Sequence, residues 1–414
     1  MKELEAAPRD ASGIAQGAEQ ADARLLGAAR EDLLGFVGKL FTAFGKVPRE
    51  GSLGARPRTA LTALGWAEFV ETYVPKRPSA LAAALGLEGK ATAAARESAS
   101  RCGALCGSFR EGADTFERLA CVKVSASKLR SVTLAAGEER LAAQEAPAPD
   151  VRTYPLKPRG AVKQVERTLF FMSDGGSANC CKADTRGAKG KDGAEAKTRM
   201  IRAGVFGEYG WLDKDGRPAP WPGSFSYIVL EGGDIGAFTS LARRHGLARG
   251  SGTVARMQCV ADGEPALEAS CRDAFPHAVF TNDFAHACEH LHACVNALGL
   301  GEEAADKEFR FCRGLLLRHG AKSAADRIKR GHARELAASP EAAKELLYLE
   351  KRRDNMRFGQ LRRDGYYIGS GHVEAAVRVL IVRRTKQAGM RWRIANAVKI
   401  AAIHAAYRSQ HPAA

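Results

Sequence analysis

Three short apolar runs with strand character follow one another in the middle of the chain: TLFFMSD (168–174), RMIRAGVFG (199–207) and SYIVLE (226–231). No strong helical pattern separates them. The order then changes. A helical stretch from Gly236 to Gly246 leads into a fourth strand, VARMQCVAD (254–262). A helix from Pro265 to Phe275, with proline near its first turn, leads into a fifth, HAVFTND (277–283). Phe284, Ala287, Cys288, Leu291, Cys294, Val295 and Leu298 then form one apolar stripe at helical spacing. Strands joined directly pair antiparallel, whereas strands separated by a helix are suited to parallel pairing through a crossover. The chain is therefore expected to build an α/β fold around a mixed five-stranded sheet with an antiparallel and a parallel half.

The flanks differ from this core. Residues 1–30 are rich in Ala, Gly and charge and read as a disordered tail. Leu33, Phe36, Val37, Leu40, Phe41 and Phe44 recur at helical spacing, and residues 46–59 read as a Gly/Pro/Arg linker. Residues 88–136 read as short helices, so 31–136 form a small helical N-terminal region. Within it, SFREGADTFERLACVKVSASKLRSVT looks like helix, tight turn, helix, with Ser125 as N-cap of the second. This pattern matches a helix-turn-helix whose Lys123, Lys128 and Arg130 face phosphates, and it equally matches three-helix packing without DNA. Pro147, Pro149, Pro155 and Pro158 mark 137–165 as a linker. Residues 299–366 are polar and helical, an insertion between core segments 166–298 and 367–408.

The net charge of +16 favours a polyanionic partner, and its distribution sharpens that reading. From Tyr366 to the end there are eight Lys/Arg residues against one acidic residue, Glu374. No run reaches the roughly 18 apolar residues of a membrane span. Ten cysteines in 414 residues do not make a disulfide scaffold, and their apolar settings fit buried thiols in a reducing cytoplasm.

Asp174 and Asp262 each close an apolar strand and each precede glycine. Carboxylates at adjacent strand ends can hold two divalent ions that clamp a scissile phosphate, although Asp-Gly also makes ordinary turns. Glu374 follows Gly369-Ser370-Gly371, with Ser370 placed as a helix N-cap, and could alternatively pair with Arg378 four residues on.

Four segments resemble bacterial insertion-sequence transposases of the DDE type, related to the Mutator-like superfamily. They are FFMSDGG (170–176), VADGEPALEASCRDAFPHAVFTNDFAHACEHL (260–291), NMRFGQLRRDGYYIGSGHVEAAVRVLIVRRTKQAGMRW (355–392) and, more weakly, ALGLEGKATAAARES with ERLACVKVSASKLR in the N-terminal region. The resemblance implies an RNase H-like core with an all-helical insertion. It implies that Asp174, Asp262 and Glu374 are the catalytic triad, 88 and 112 residues apart, holding two Mg²⁺ (or Mn²⁺) ions. Asp283 and His286 match the family's Asp-x-x-His signature, as accessory residues. Arg383, Arg384, Lys386, Arg391 and Arg393 would grip the DNA backbone, and Trp392 would pack near or stack on a base or, equally well, serve as a core aromatic. The implied reaction is cleavage and strand transfer at element ends, on double-stranded terminal repeats and target DNA, by a homodimer or larger assembly. The implied setting is the bacterial cytoplasm, on the nucleoid, with no membrane. Zinc-ribbon cysteines found in relatives are missing from 66–86, so no structural zinc is expected, and Gly-Gly follows the first Asp where Gly-Thr is usual.

Two rival readings stand beside this one. His286-Ala-Cys-Glu289-His290 fits the inverted zinc-hydrolase motif H-x-x-E-H, with both histidines on one helix face. The chain could also be a catalytically silent, transposase-derived DNA-binding protein.

Overall fold

The computed structural model describes residues 11–409 other than 47–49, 78, 85–86, 88–89, 121, 155 and 191–192. It falls into two units, 1–136 and 137–414.

The first unit opens with a long helix, α1 (Ala11–Gly45). Residues 11–30 are thus helical and not the disordered tail read from composition; residues 1–10 lie outside the described part. Alanine has the highest intrinsic helix propensity, which outweighs the missing periodicity. Residues 55–59 also depart from the linker reading. They belong to β1 (Ala55–Thr62), which pairs antiparallel with β2 (Gly65–Thr72). Phe69 and Ala67 alternate inward on β2, and Phe69 meets Phe41 of α1 edge-on at 5.6 Å. A short helix α2 (Ala80–Ala84) precedes α3 (Ala93–Leu105), α4 (Phe109–Ala120) and the long α5 (Ala126–Glu145). Phe116, Leu129 and Val132 close a core with Ala95 and Ala99. Ser125 caps α5 by accepting the Lys128 N–H at 3.1 Å.

The second unit is a mixed α/β layer. Strands β3 (Ala161–Asn179), β4 (Thr198–Asp213), β5 (Pro218–Pro220), β6 (Ser226–Glu231), β7 (Arg256–Ala261) and β8 (Val279–Asn282) form one sheet, with the short helix α6 (Lys182–Thr185) between β3 and β4. The order is β5-β4-β3-β7-β8, with β6 also on β4. The pairs β3–β4, β4–β5 and β4–β6 are antiparallel; β3–β7 and β7–β8 are parallel. Helices α7 (Ile235–Ala248) and α8 (Pro265–Ala274) cover one face, packing Phe238, Leu241, Leu267 and Cys271 on Phe171, Phe206 and Ile228. Helix α9 (Phe284–Ala297) shares a separate core with α10 (Glu302–His319), α11 (Ala321–Gly331), α12 (Ala333–Ala338), α13 (Pro340–Lys351) and α14 (Phe358–Arg363). The chain returns to the sheet through α15 (Gly371–Val377), a π-helical turn (Arg378–Val382), α16 (Arg383–Thr385) and α17 (Ile394–Arg408).

The Pro-rich stretch read as a linker is clipped to the sheet. Asp150 N–H reaches Ala248 O at 2.9 Å, and the buried Arg152 guanidinium donates to Phe225 O at 3.0 Å. Tyr154 stacks on Trp221 at 4.7 Å. Among the described residues no helix is long and apolar enough to cross a membrane.

Candidate functional site at the ends of the parallel strands

The parallel register gathers the carboxylates. β3 and β7 run together from Thr168↔Arg256 to Met172↔Val260, and β7 and β8 from Gln258↔Val279 to Ala261↔Asn282. Carried two residues further, the first register sets Asp174 across from Asp262. Carried one further, the second sets Asp262 across from Asp283. Asp174 does not end its strand, however. β3 runs on to Asn179, paired only with β4. The glycines after Asp174 serve packing instead of a turn: a Cβ on Gly176 would lie 2.8 Å from Val377 and 3.2 Å from Ile381. The bare Gly176 lets α15 and the π-helical turn lie against β3, while a Cβ on Gly175 would lie 2.6 Å from the Met200 sulfur of β4.

The segment 366–370 is fastened to the same strand ends. Gln258, fully buried, accepts the Tyr367 N–H at 3.0 Å and donates to Tyr367 O at 2.7 Å. Phe284 N–H reaches Ile368 O at 2.8 Å. Asp283 is buried and uses both oxygens: Oδ1 accepts the His286 N–H at 2.6 Å, capping α9, and Oδ2 accepts the Ser370 N–H at 2.6 Å. Ser370 precedes α15, but its hydroxyl makes no cap bond; it donates to Glu374 Oε1 at 2.9 Å. Glu374 is thus held by Ser370 and not by Arg378. Residues from opposite ends of the helical insertion meet through these bonds.

The electrostatics agree with this gathering. Burial pushes the Asp174 carboxyl above the ordinary carboxylate range; the Gly175 N–H opposes this, and the charges of Asp262, Glu374 and Asp283 raise it further. The Gly175 N–H donates to Asp174 Oδ1 at 2.6 Å. Asp262 is exposed, with Oδ1 accepting the Glu264 N–H at 3.1 Å, and Tyr348 of α13 donates to the Asp262 carbonyl at 2.6 Å. Tyr348 carries no signal in the sequence. Neither does Asn282, which is fully buried beside Asp283 with its amide nitrogen and oxygen unpaired.

One expectation is overturned. Among the described residues no group of three or more His, Cys, Asp or Glu side chains is gathered so as to hold a metal ion. The carboxylates lie within electrostatic reach of one another but do not converge on an ion-sized centre, so the two-ion Mg²⁺ or Mn²⁺ site is withdrawn. The same finding applies to the H-x-x-E-H helix. There His286 and His290 face each other, Nε2 to Nε2, at 3.3 Å. His286 Nδ1 contacts Glu289 at 3.1 Å, while His290 Nδ1 contacts Glu345 and its ring stacks on Tyr348 at 3.5 Å.

The basic residues divide. Arg383, Lys386, Arg391 and Arg393 are exposed, Arg393 pairing with Asp184 at 3.3 Å. Arg384 and Trp392 are buried, the guanidinium 5.0 Å over the indole, and Trp392 N–H bonds Asn179 O at 2.9 Å. Both belong to the packing of the segment beside β3, where Trp392 is the core aromatic that was its other reading. In the first unit Lys128 sits 5.9 Å over Trp66, its pKa lowered by burial and by Lys90, and Arg130 is exposed. No family model matches the chain, and no curated protein matches it.

Proposed function

We propose that this protein acts on double-stranded DNA as a DDE-type transposase, with an RNase H-like core in its second unit. The observation that carries the reading is the juxtaposition of Asp174, Asp262 and Asp283 just past the end of the parallel pairing of β3, β7 and β8, with Glu374 brought to them from beyond the helical insertion. The strand order supports it: β3, β4 and β6 pair antiparallel in succession and β7 and β8 follow in parallel on the other side of β3, as an RNase H-like core would be arranged. The charge of +16 suits a phosphodiester partner.

In the proposed reaction water adds to a phosphorus at the element's end and the bond to the 3′ oxygen breaks, the oxygen leaving as a hydroxyl. That hydroxyl then attacks a target phosphate in line, forming a new 3′-oxygen–phosphorus bond as the target strand's own 3′-oxygen–phosphorus bond breaks and its 3′ oxygen leaves as a hydroxyl. Asp174, held above the ordinary carboxylate range, is the group best suited to take the attacking proton. A second reading, a silent DNA-binding descendant, is favoured by the lack of an ion-holding group among the described residues. A plasmid-nicking assay, run with chelator and with added divalent cation, decides. Nicking lost in Glu374→Gln and Asp174→Asn supports the enzyme. Tight DNA binding with no nicking in either buffer supports the silent protein.

A further inference from the structure

One cavity lies beside the turn that holds Glu374, and a second adjoins it. One, of about 680 Å³, is bordered by Phe284, Tyr366, Tyr367, Gly369, Gly371 and His372. The other, of about 780 Å³, is bordered by Arg318, Arg357, Arg362 and Arg363. They share Gly216, Leu317 and Arg362, so they adjoin. Gly369 and Gly371 flank Ser370, the residue that bonds both Asp283 and Glu374. The aromatic cavity and the carboxylates therefore lie about a single turn.

The chemistry of the walls is specific. Arg318, Arg357, Arg362 and Arg363 are exposed, and none pairs with a carboxylate among the described residues. Unpaired guanidinium groups along a groove bind phosphates, and the fork geometry of arginine suits them. The adjoining cavity is aromatic and large enough for a small-molecule-sized group. His372 there stacks against Phe170 at 5.7 Å and contacts the Tyr367 hydroxyl at 3.1 Å, and burial lowers its pKa, so it presents a neutral ring. A cationic track ending in an aromatic pocket is how proteins hold unpaired nucleic-acid strands.

Resting on the DNA reading above, we propose that the joined cavities bind a single-stranded DNA tail, with the arginines on its phosphates and an unstacked base in the aromatic pocket beside the Glu374 turn. The test is fluorescence anisotropy with a blunt duplex and with the same duplex carrying a tail of about six nucleotides. The wild-type protein is expected to bind the tailed duplex about tenfold more tightly, and Arg318→Glu/Arg363→Glu to lose that increment while blunt-duplex binding is unchanged. Both residues are exposed, so the fold should tolerate the change; Arg362→Gln repeats the test without reversing a charge should the double variant melt early. Equal binding of the two duplexes by the wild type, or an equal loss for both in the variants, overturns the groove and leaves the DNA reading standing. Failure to bind either duplex overturns the DNA reading and the groove together.

Discussion

Asp283 ties the start of α9 to the turn that carries Glu374, and its removal measures how firmly. In Asp283→Ala two charge-assisted bonds disappear, one to the His286 N–H and one to the Ser370 N–H, each at 2.6 Å. Loss of a helix cap costs about 1 kcal/mol. Leaving a buried N–H without its ionised acceptor costs about 2 kcal/mol more, and Ser370 is buried. The expected loss is therefore about 3 kcal/mol in urea unfolding of the second unit. At roughly 2 °C per kcal/mol for a unit this large, the melting temperature falls by about 6 °C. Asp283→Asn keeps one carbonyl oxygen and should lose about half as much. Amide hydrogen exchange separates the two bonds, since Ser370 should lose protection in the alanine variant. A loss near 1 kcal/mol with Ser370 protection unchanged would show that the cap alone matters, and that the Glu374 turn is not held by Asp283.

Asp174→Asn should stabilise the fold at neutral pH by about 1 kcal/mol. The folded Asp174 carboxyl is raised above its unfolded range by burial and neighbouring charge, so its ionisation costs stability as pH rises through the folded value and costs nothing below the unfolded one. Urea midpoints at pH 7 and pH 3 check this: the gain should be present at pH 7 and gone at pH 3, and a gain at pH 3 alone would reverse the sign. Gly207→Ala should cost about 1–3 kcal/mol, because the new Cβ would lie 2.3 Å from the Phe170 ring; an unchanged melting temperature would show that the aromatic layer gives way freely. Arg249 and Glu208 form a buried pair at 2.6 Å, with Arg249 also bonding Ser226 at 2.9 Å. Arg249→Met should lose about 3 kcal/mol, and adding Glu208→Gln should recover part of it; no recovery in the double variant would mean the arginine acts through packing alone.

The N-terminal unit shows where local reading stops. Residues 46–59 carry Gly51, Gly54 and Pro57, which suggest a linker, yet 55–72 form a hairpin. Two of its inward residues, Ala60 and Ala67, are small, and Ala60, Leu61 and Thr62 are buried in succession, so the alternation in β1 is faint. Gly175-Gly176 misled in the same way. After Asp174 they read as a turn, whereas β4 supplies hydrogen-bond partners out to Asn179, Met200 fills the space beside Gly175, and α15 needs the space beside Gly176. Arg384 read as a surface group in a basic tail, but it lies over Trp392, whose backbone partner Asn179 in β3 comes some 200 residues earlier.

By itself the sequence determined the positions of β3, β4, β6, β7 and β8, because apolar runs of fixed period and the helices between the later ones leave little choice of pairing. It placed Asp262 and Asp283 just past the ends of β7 and β8, and Asp174 on the strand they follow in parallel. Which bonds hold Glu374 there, and how closely the carboxylates approach, were decided only by tertiary structure. Asp283 meets Ser370 across 87 residues of sequence, and Gln258 meets Tyr367 across 109. Contacts of that separation depend on how the intervening helices pack, and a pattern with a period of two or 3.6 residues carries no information about them.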